Sequence, residues 1–347
     1  MECVDYRLRI DQDKLMAGNH SSPPFTLVDA SFHSMEEVTE LTDLMDWPGE
    51  FHQLSKGLVT SRWRSLSLGD YSLISHRMDK RFHARLTAPR GCVALAVTPP
   101  PHFMLVDGLE LGNDKALVMD ANSEVDFVSA GKTACTTLVL PESDFKASGQ
   151  ALFPRFRMRT SGELTRILQC PSSGWSVLHG EMRDLLRNGS VSPEDLSHLL
   201  SRFFDLMVEE PEERQREACL GNRSTGSVAR RAREYIEDHY DSTIRMEDLC
   251  RCTGVSIRTL QRSFSEYFQM SPFDYIKARR LNAARQALVA GEASLGGSVT
   301  RIAVENGFTH LGRFSVGYRE HFDELPRETL ARERQSLTTR TNRPDYY

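Results

Sequence analysis

Arg258, Gln261, Arg262 and Ser265 stand three and four residues apart, a spacing that puts all four side chains on one face of a helix. Arginine presents a two-pronged donor that fits O6 and N7 of guanine, and glutamine pairs with N6 and N7 of adenine, so such a face has the chemistry to read base edges in a major groove. Ile257, Leu260 and Phe264 are expected on the opposite side, toward a core. A plain solvated helix face would have the same composition; the preceding residues tilt the choice. Gly254-Val255-Ser256 supplies a residue free to turn left-handed, an apolar corner and a helix cap. With the short helical stretch Met246 to Thr253 before it, the whole reads as a helix-turn-helix.

The pattern occurs twice. From Val299, a short helical run leads to Gly307-Phe308, then Thr309 as the expected cap, then a second helix through Leu311, Phe314 and Ser315. Between the two units, Ser271-Pro272 opens a helix reaching to about Val289. About 18 residues at ~1.5 Å each span ~27 Å, which sets the two outer helices close to one ~34 Å turn of duplex apart.

Upstream, the period is that of strands. Leu58-Val59-Thr60, Tyr71 to Ser75, Cys92 to Val97, Ala116 to Met119, Val125 to Val128 and Ala134 to Leu140 are short β-branched or aromatic runs broken by turn residues, with Pro99-Pro100-Pro101 as a rigid connection. An antiparallel barrel or sandwich is expected. Two amphipathic helices follow, one through Val177-Leu178, Met182 and Leu185-Leu186, the other opened by Ser192-Pro193 and carrying Leu196, Leu199-Leu200, Phe203-Phe204 and Met207; they would close the barrel or dimerise. Polar, charged residues 209–226 read as a linker. The chain as a whole carries a net charge of −5, yet from Gly221 onward 20 Lys and Arg outnumber 16 Asp and Glu, so a polyanion belongs at that end.

Several functions lose support. Apolar runs fall short of the ~20 residues of a membrane span, and Met1 to Asp11 lacks a secretory pattern, so a cytoplasmic protein is expected. Seven cysteines, mostly scattered, fit a reduced compartment, and Cys250 and Cys252 read as inert core thiols. His76, His83 and His102 suggest a metal cupin, but the close His-x-His pair followed by Glu is missing. Neither a Gly-x-Ser-x-Gly turn nor a Gly-rich phosphate loop is present. No catalytic residue, metal or cofactor is expected.

Residues Leu249-Cys250, Gly254-Val255-Ser256, Leu260, Arg262, Phe264, Pro272, Tyr275-Ile276, Arg279, Leu281, Ala284, Ile302-Ala303, Gly307-Phe308, Phe314-Ser315, Phe322 and Pro326 together resemble the DNA-binding domain of the AraC/XylS family of bacterial transcription regulators. The resemblance runs from about Val228 to Arg334. It implies a seven-helix domain with base-reading positions at Arg258, Gln261 and Arg262 in the first unit and Leu311, Gly312, Ser315 and Val316 in the second. Gly312, Val316 and Thr329 depart from the polar, basic and aromatic residues usual there, so the second unit is expected to read little sequence. It would hold phosphates through Thr309, Arg313 and Arg319, with Ser256 and Thr259 doing so in the first, and Val316 would contribute at most a thymine-methyl contact.

The resemblance also implies a cupin-like β-barrel sensing domain at residues 1–208, a linker at 209–226, the double helix-turn-helix domain at 227–335 and a disordered tail at 336–347. The chain is thus expected to be an α+β, two-domain regulator. Double-stranded DNA, RNA polymerase, a small-molecule effector and a second copy of the chain are its expected partners, with activation as the expected mode. If an effector pocket exists, Trp63, Arg64, His76, His83 and His102 are its candidate residues. The alternatives are a front domain that takes a protein partner or works without ligand, and, last, a cupin-type enzyme fused to a DNA-binding domain.

Overall fold

The computed structural model describes residues 25–112, 114–120, 123–129, 131–152, 166–169, 172–208, 223–290 and 298–332. Residues 209–222 of the linker expected at 209–226, and the tail expected at 336–347, lie outside these. The chain divides into two compact units, one of residues 1–51 and 60–222, the other of residues 52–59 with 223–347.

The first unit is built on twelve strands: β1 (Phe25–Phe32), β2 (Gly49–Gln53), β3 (Ser61–Leu68), β4 (Tyr71–Met78), β5 (Phe82–Thr87), β6 (Cys92–Val97), β7 (Met104–Val106), β8 (Leu109–Leu111), β9 (Lys115–Met119), β10 (Glu124–Ser129), β11 (Thr133–Pro141) and β12 (Arg166–Gln169). They form a seven-stranded sheet in the order β1-β3-β4-β11-β6-β9-β12 and a five-stranded sheet in the order β2-β5-β10-β7-β8. The described pairings are antiparallel. The fold class is as expected, although each sheet is open, with edge strands, and not a closed barrel.

Helices α1 (Met35–Leu44), α2 (Glu142–Leu152), α3 (Ser172–Asn188) and α4 (Pro193–Val208) complete this unit. Ser192 opens α4 as expected: its hydroxyl accepts from Asp195 N–H at 3.1 Å, and the Asp195 carboxylate accepts from Ser192 N–H at 2.9 Å. One face of the larger sheet (Leu66, Leu73, Leu95, Val118, Leu138) packs under Trp175, Leu178 and Met182 of α3 and Leu199, Phe203 and Phe204 of α4. Each such buried side chain contributes roughly 1.5–3 kcal/mol, so the two helices belong to the core of this unit. Val177, expected in that core, is 47% exposed; its neighbour Trp175 takes the buried position.

Leu58-Val59-Thr60 is not a strand. The Gln53 side-chain amide donates to the carbonyls of Ser55 and Gly57, which fixes a loop where a ladder was expected, and β3 begins only at Ser61.

The second unit holds α5 (Arg223–His239), α6 (Met246–Thr253), α7 (Ile257–Phe268), α8 (Pro272–Val289), α9 (Val299–Glu305) and α10 (Leu311–Phe322), with residues 326–332 helical beyond them, seven helices among the described residues. α5 starts at Arg223, so the end of the stretch read as linker is helical. The 18-residue α8 is buried on most sides, by Tyr275, Ile276, Leu281, Ala284 and Leu288 among others, as the central beam of an all-helical unit must be. Residues 52–59 fit against it and against α10. The Asn282 side chain accepts from Gln53 N–H at 3.0 Å and donates to Gln53 C=O at 2.9 Å, while the Gln53 amide donates to the His321 carbonyl at 2.7 Å.

Candidate nucleic-acid interface

In the first helix-turn-helix, α6 ends on Gly254, whose φ of 73° is left-handed and whose N–H donates to Cys250 C=O at 2.8 Å. Half-buried Val255 turns the corner, and the Ser256 hydroxyl caps α7 by accepting from Thr259 N–H at 3.3 Å. Leu260, Phe264 and Phe268 are buried, with the Phe264 and Phe268 rings 5.4 and 4.8 Å from the Tyr275 ring of α8. Arg258, Gln261, Arg262 and Ser265 are all exposed, as the spacing required. Arg262 lies 3.8 Å from Glu266 in an exposed ion pair that is worth little in water and leaves the guanidinium free to change partner.

Ile257 departs from expectation: it is 44% exposed. As the first residue of α7 its side chain leans back over the cap, past the edge of the core, and joins the polar face.

In the second unit, Ser298 caps α9 by accepting from Arg301 N–H at 3.2 Å, and Gly307 makes the turn with φ of 77°. A Cβ on Gly307 would lie 2.9 Å from the backbone oxygens of Tyr240 and Asp241, so only glycine fits. Thr309 does not cap the next helix. Phe308 sets its ring 4.8 Å from Phe314, which uses one more residue of chain, and His310 takes the N-cap position without a side-chain hydrogen bond. On α10, Phe314, Tyr318 and Phe322 face inward; Leu311, Gly312, Arg313, Val316 and Arg319 are exposed and Ser315 is half-buried.

A helix-turn-helix domain model matches residues 249–332, the span holding both turns and α7 to α10. Over 98 residues the chain is 35% identical to the XylDLEGF operon transcriptional activator 2 of Pseudomonas putida, a match covering 28% of this chain and 62% of that one. The helix-turn-helix stretch is of the AraC/XylS type. The transcriptional activator RhaS of Escherichia fergusonii is 29% identical over 138 residues, 39% of this chain and 47% of its own. A solved structure, a probable AraC family transcriptional regulator from Rhodopseudomonas palustris CGA009, is 36% identical, covers 30% of this chain and 96% of its own, and superposes with a TM-score of 0.29. The chain therefore spans less than two thirds of the curated relatives it matches.

Within this AraC-type domain the Thr329 departure has a structural account. Thr329 is fully buried and its hydroxyl shares a 2.9 Å hydrogen bond with the Tyr318 hydroxyl, so a polar pair stands where an aromatic was expected. Next to it, Glu324 pairs with both Arg285 and Arg332. No spacing in the sequence pointed to these pairs, because each joins residues brought together only by the packing of α8, α10 and the last helix.

Of the five candidate effector residues in the first unit, the structure gathers two. Trp63 and His76 are cross-strand partners on β3 and β4 with rings 5.3 Å apart, and His76 Nε2 lies 3.0 Å from the Ser61 hydroxyl. Burial holds the His76 imidazole down to about 4, so it is neutral near pH 7. By register, Ser65 and Cys135 share this face of the larger sheet, and Phe82 of the smaller sheet stands 6.3 Å from the His76 ring, which places the group between the sheets. The buried Trp63 Nε1 and Ser65 hydroxyl have no hydrogen-bond partner among the described residues. The other three candidates stand apart. Arg64 points from the opposite face toward Asp29 at 3.8 Å, His83 is buried against Asp126 at 3.0 Å on the other side of β5, and His102 bonds the Lys132 carbonyl at 2.8 Å. Among the described residues no group of His, Cys, Asp and Glu is arranged to hold a metal ion.

Proposed function

We propose that this chain is a transcription regulator that binds double-stranded DNA sequence-specifically and activates transcription in response to a small molecule held by its β domain. The observation that carries the DNA half is the exposed Arg258, Gln261 and Arg262 face on a Ser256-capped helix, followed by an 18-residue spacer helix and a second helix-turn-helix. Arg258, Gln261 and Arg262 read bases in one major groove; Ser315 and Val316 meet bases in the next. Ser256, Thr259, Thr309, Arg313 and Arg319 hold phosphates. That the relatives are transcriptional activators supports the sign of control, and RNA polymerase and a second copy of the chain are the partners that activation at paired half-sites calls for. The protein would act in the cytoplasm, on the nucleoid, with residues 1–208 as sensor, 209–226 as linker and 227–335 as reader.

For the sensor, the supporting observation is the pair of unpartnered buried donors at Trp63 and Ser65 beside neutral His76. Orphan donors are costly unless a ligand or water meets them.

Selection of bound duplexes from a random pool tests the reader. The variant Arg258→Ala with Arg262→Ala should lose about a hundredfold or more in affinity for the selected site, two bidentate contacts at ~1–3 kcal/mol each. Unchanged binding would sink the assignment. Thermal melting of the full chain against a metabolite panel tests the sensor: one ligand at a hundred times its Kd should add ~2.7 kcal/mol. No shift across a broad panel would favour a β domain that takes a protein partner.

A further inference from the structure

Both groove-facing helices leave large apolar side chains in solvent. Ile257 on α7 is 44% exposed, and Leu311 and Val316 on α10 are 40% and 60% exposed. We propose that the two units read thymine through its C5 methyl group, with Ile257 in the first and Leu311 and Val316 in the second. This rests on the DNA-binding reading above and extends to Ile257 and Leu311 the thymine-methyl contact expected at Val316.

The C5 methyl of thymine is the apolar group that an A·T pair displays in the major groove. Ile257 lies one helical turn from Gln261, at i and i+4. A glutamine there is suited to adenine, and the partner of that adenine carries the methyl, so the two side chains fit neighbouring halves of A·T steps. The second helix is poorer in hydrogen-bonding groups. Its exposed face runs Leu311, Gly312, Ser315, Val316, Arg319, and Ser315 is half-buried. A Cβ on Gly312 would have nothing within 4 Å, so the backbone one turn before Val316 is bare and lets a base edge come close. Arg319 one turn beyond Val316, and Arg258 and Arg262 beside Ile257, mark the occupant as a polyanion. A protein partner would be met by a continuous apolar patch, whereas here Ile257 stands between Ser256 and Arg258, Leu311 between His310 and Gly312, and Val316 next to Ser315.

The methyl contact is separable from hydrogen bonding, because uracil keeps the O4 acceptor of thymine and lacks the methyl. A site selected by the full chain from a random duplex pool is remade with deoxyuridine at one thymine at a time. Wild type should bind roughly fourfold more weakly at each thymine whose methyl is buried, from ~0.8 kcal/mol per carbon group. Val316→Ala should lose the same factor on the thymine duplex and become indifferent to uracil at the positions under α10; Ile257→Ala should do so under α7. Because these side chains are exposed, the melting temperatures of the variants should match wild type. Equal wild-type affinity for thymine and uracil duplexes at every position would overturn the proposal, as would variants that keep full uracil sensitivity. If the wild-type chain enriches no duplex at all, the DNA-binding reading itself fails, an outcome distinct from binding without methyl discrimination.

Discussion

Two glycines in equivalent turns carry different constraints. Gly254 and Gly307 have φ of 73° and 77°, so an alanine at either pays for a left-handed conformation. At Gly254 nothing lies within 4 Å of an added Cβ; at Gly307 that atom meets two backbone oxygens at 2.9 Å, and backbone does not move aside cheaply. Gly254→Ala should therefore cost about 1–2 kcal/mol, and Gly307→Ala clearly more, with the gap read from urea midpoints at constant m value. Equal costs would mean that the second turn relaxes freely. Both glycines were legible in the sequence as turn residues, because the need for positive φ is local. The crowding at Gly307 was not, since Tyr240 and Asp241 reach it only through tertiary packing. Ile257 failed for a related reason: periodicity assigns a side, but a residue at the first turn of a helix leans beyond the element that periodicity describes.

At the scale of elements, most caps and turns followed the pattern, with Thr309 the exception. Ser192 with Asp195, Ser256, Ser271 before Pro272 and the 18-residue α8 all rest on neighbours within a few residues. Strands β1, β2, β3, β5, β7, β8 and β12 were missed. β5, for example, mixes Phe82, Ala84 and Leu86 with His83, Arg85 and Thr87, and its identity comes from pairing with β10. The hold of α8 and α10 on Gln53 was equally hidden. Asn282 is 2% exposed and satisfies both backbone groups of Gln53. Asn282→Ala leaves a buried donor and acceptor unmet, so it should cost about 1–3 kcal/mol in the full chain. His321, in the same cluster, bonds Gln53 C=O at 3.0 Å and is held to about 4 by burial, against 6.5 for an ordinary imidazole. Its folded value lies below its unfolded one. Stability is then fully present above pH 6.5 and is lost as pH falls toward 4, because the unfolded chain binds the proton first. The shift corresponds to ~3 kcal/mol, and His321→Gln should flatten the fall in urea stability between pH 6.5 and 4.

For the whole molecule, a net charge of −5 coexists with a basic C-terminal stretch of 20 Lys and Arg against 16 Asp and Glu, so affinity for DNA should be strongly salt-dependent. Removing one phosphate contact, as in Arg319→Ala, should lower the slope of log affinity against log salt by about 0.9, whereas Gln261→Ala should weaken binding and leave the slope alone. Filter binding from 50 to 200 mM salt separates the two, and an unchanged slope for Arg319→Ala would remove it from the phosphate contacts. The inclusion of residues 52–59 in the helical unit has a consequence for how the protein is made. Gln53 meets Asn282 across 229 positions and His321 across 268, so one strut of the reader leaves the ribosome long before the helices that grip it. The hydrogen bonds of Gln53 with Asn282 and His321 can form only after the C-terminal helices have been made. A gene fragment beginning at residue 223 would lack the partners that Gln53 supplies to Asn282 and His321, and a synthetic peptide of residues 52–59 is the piece that would restore them.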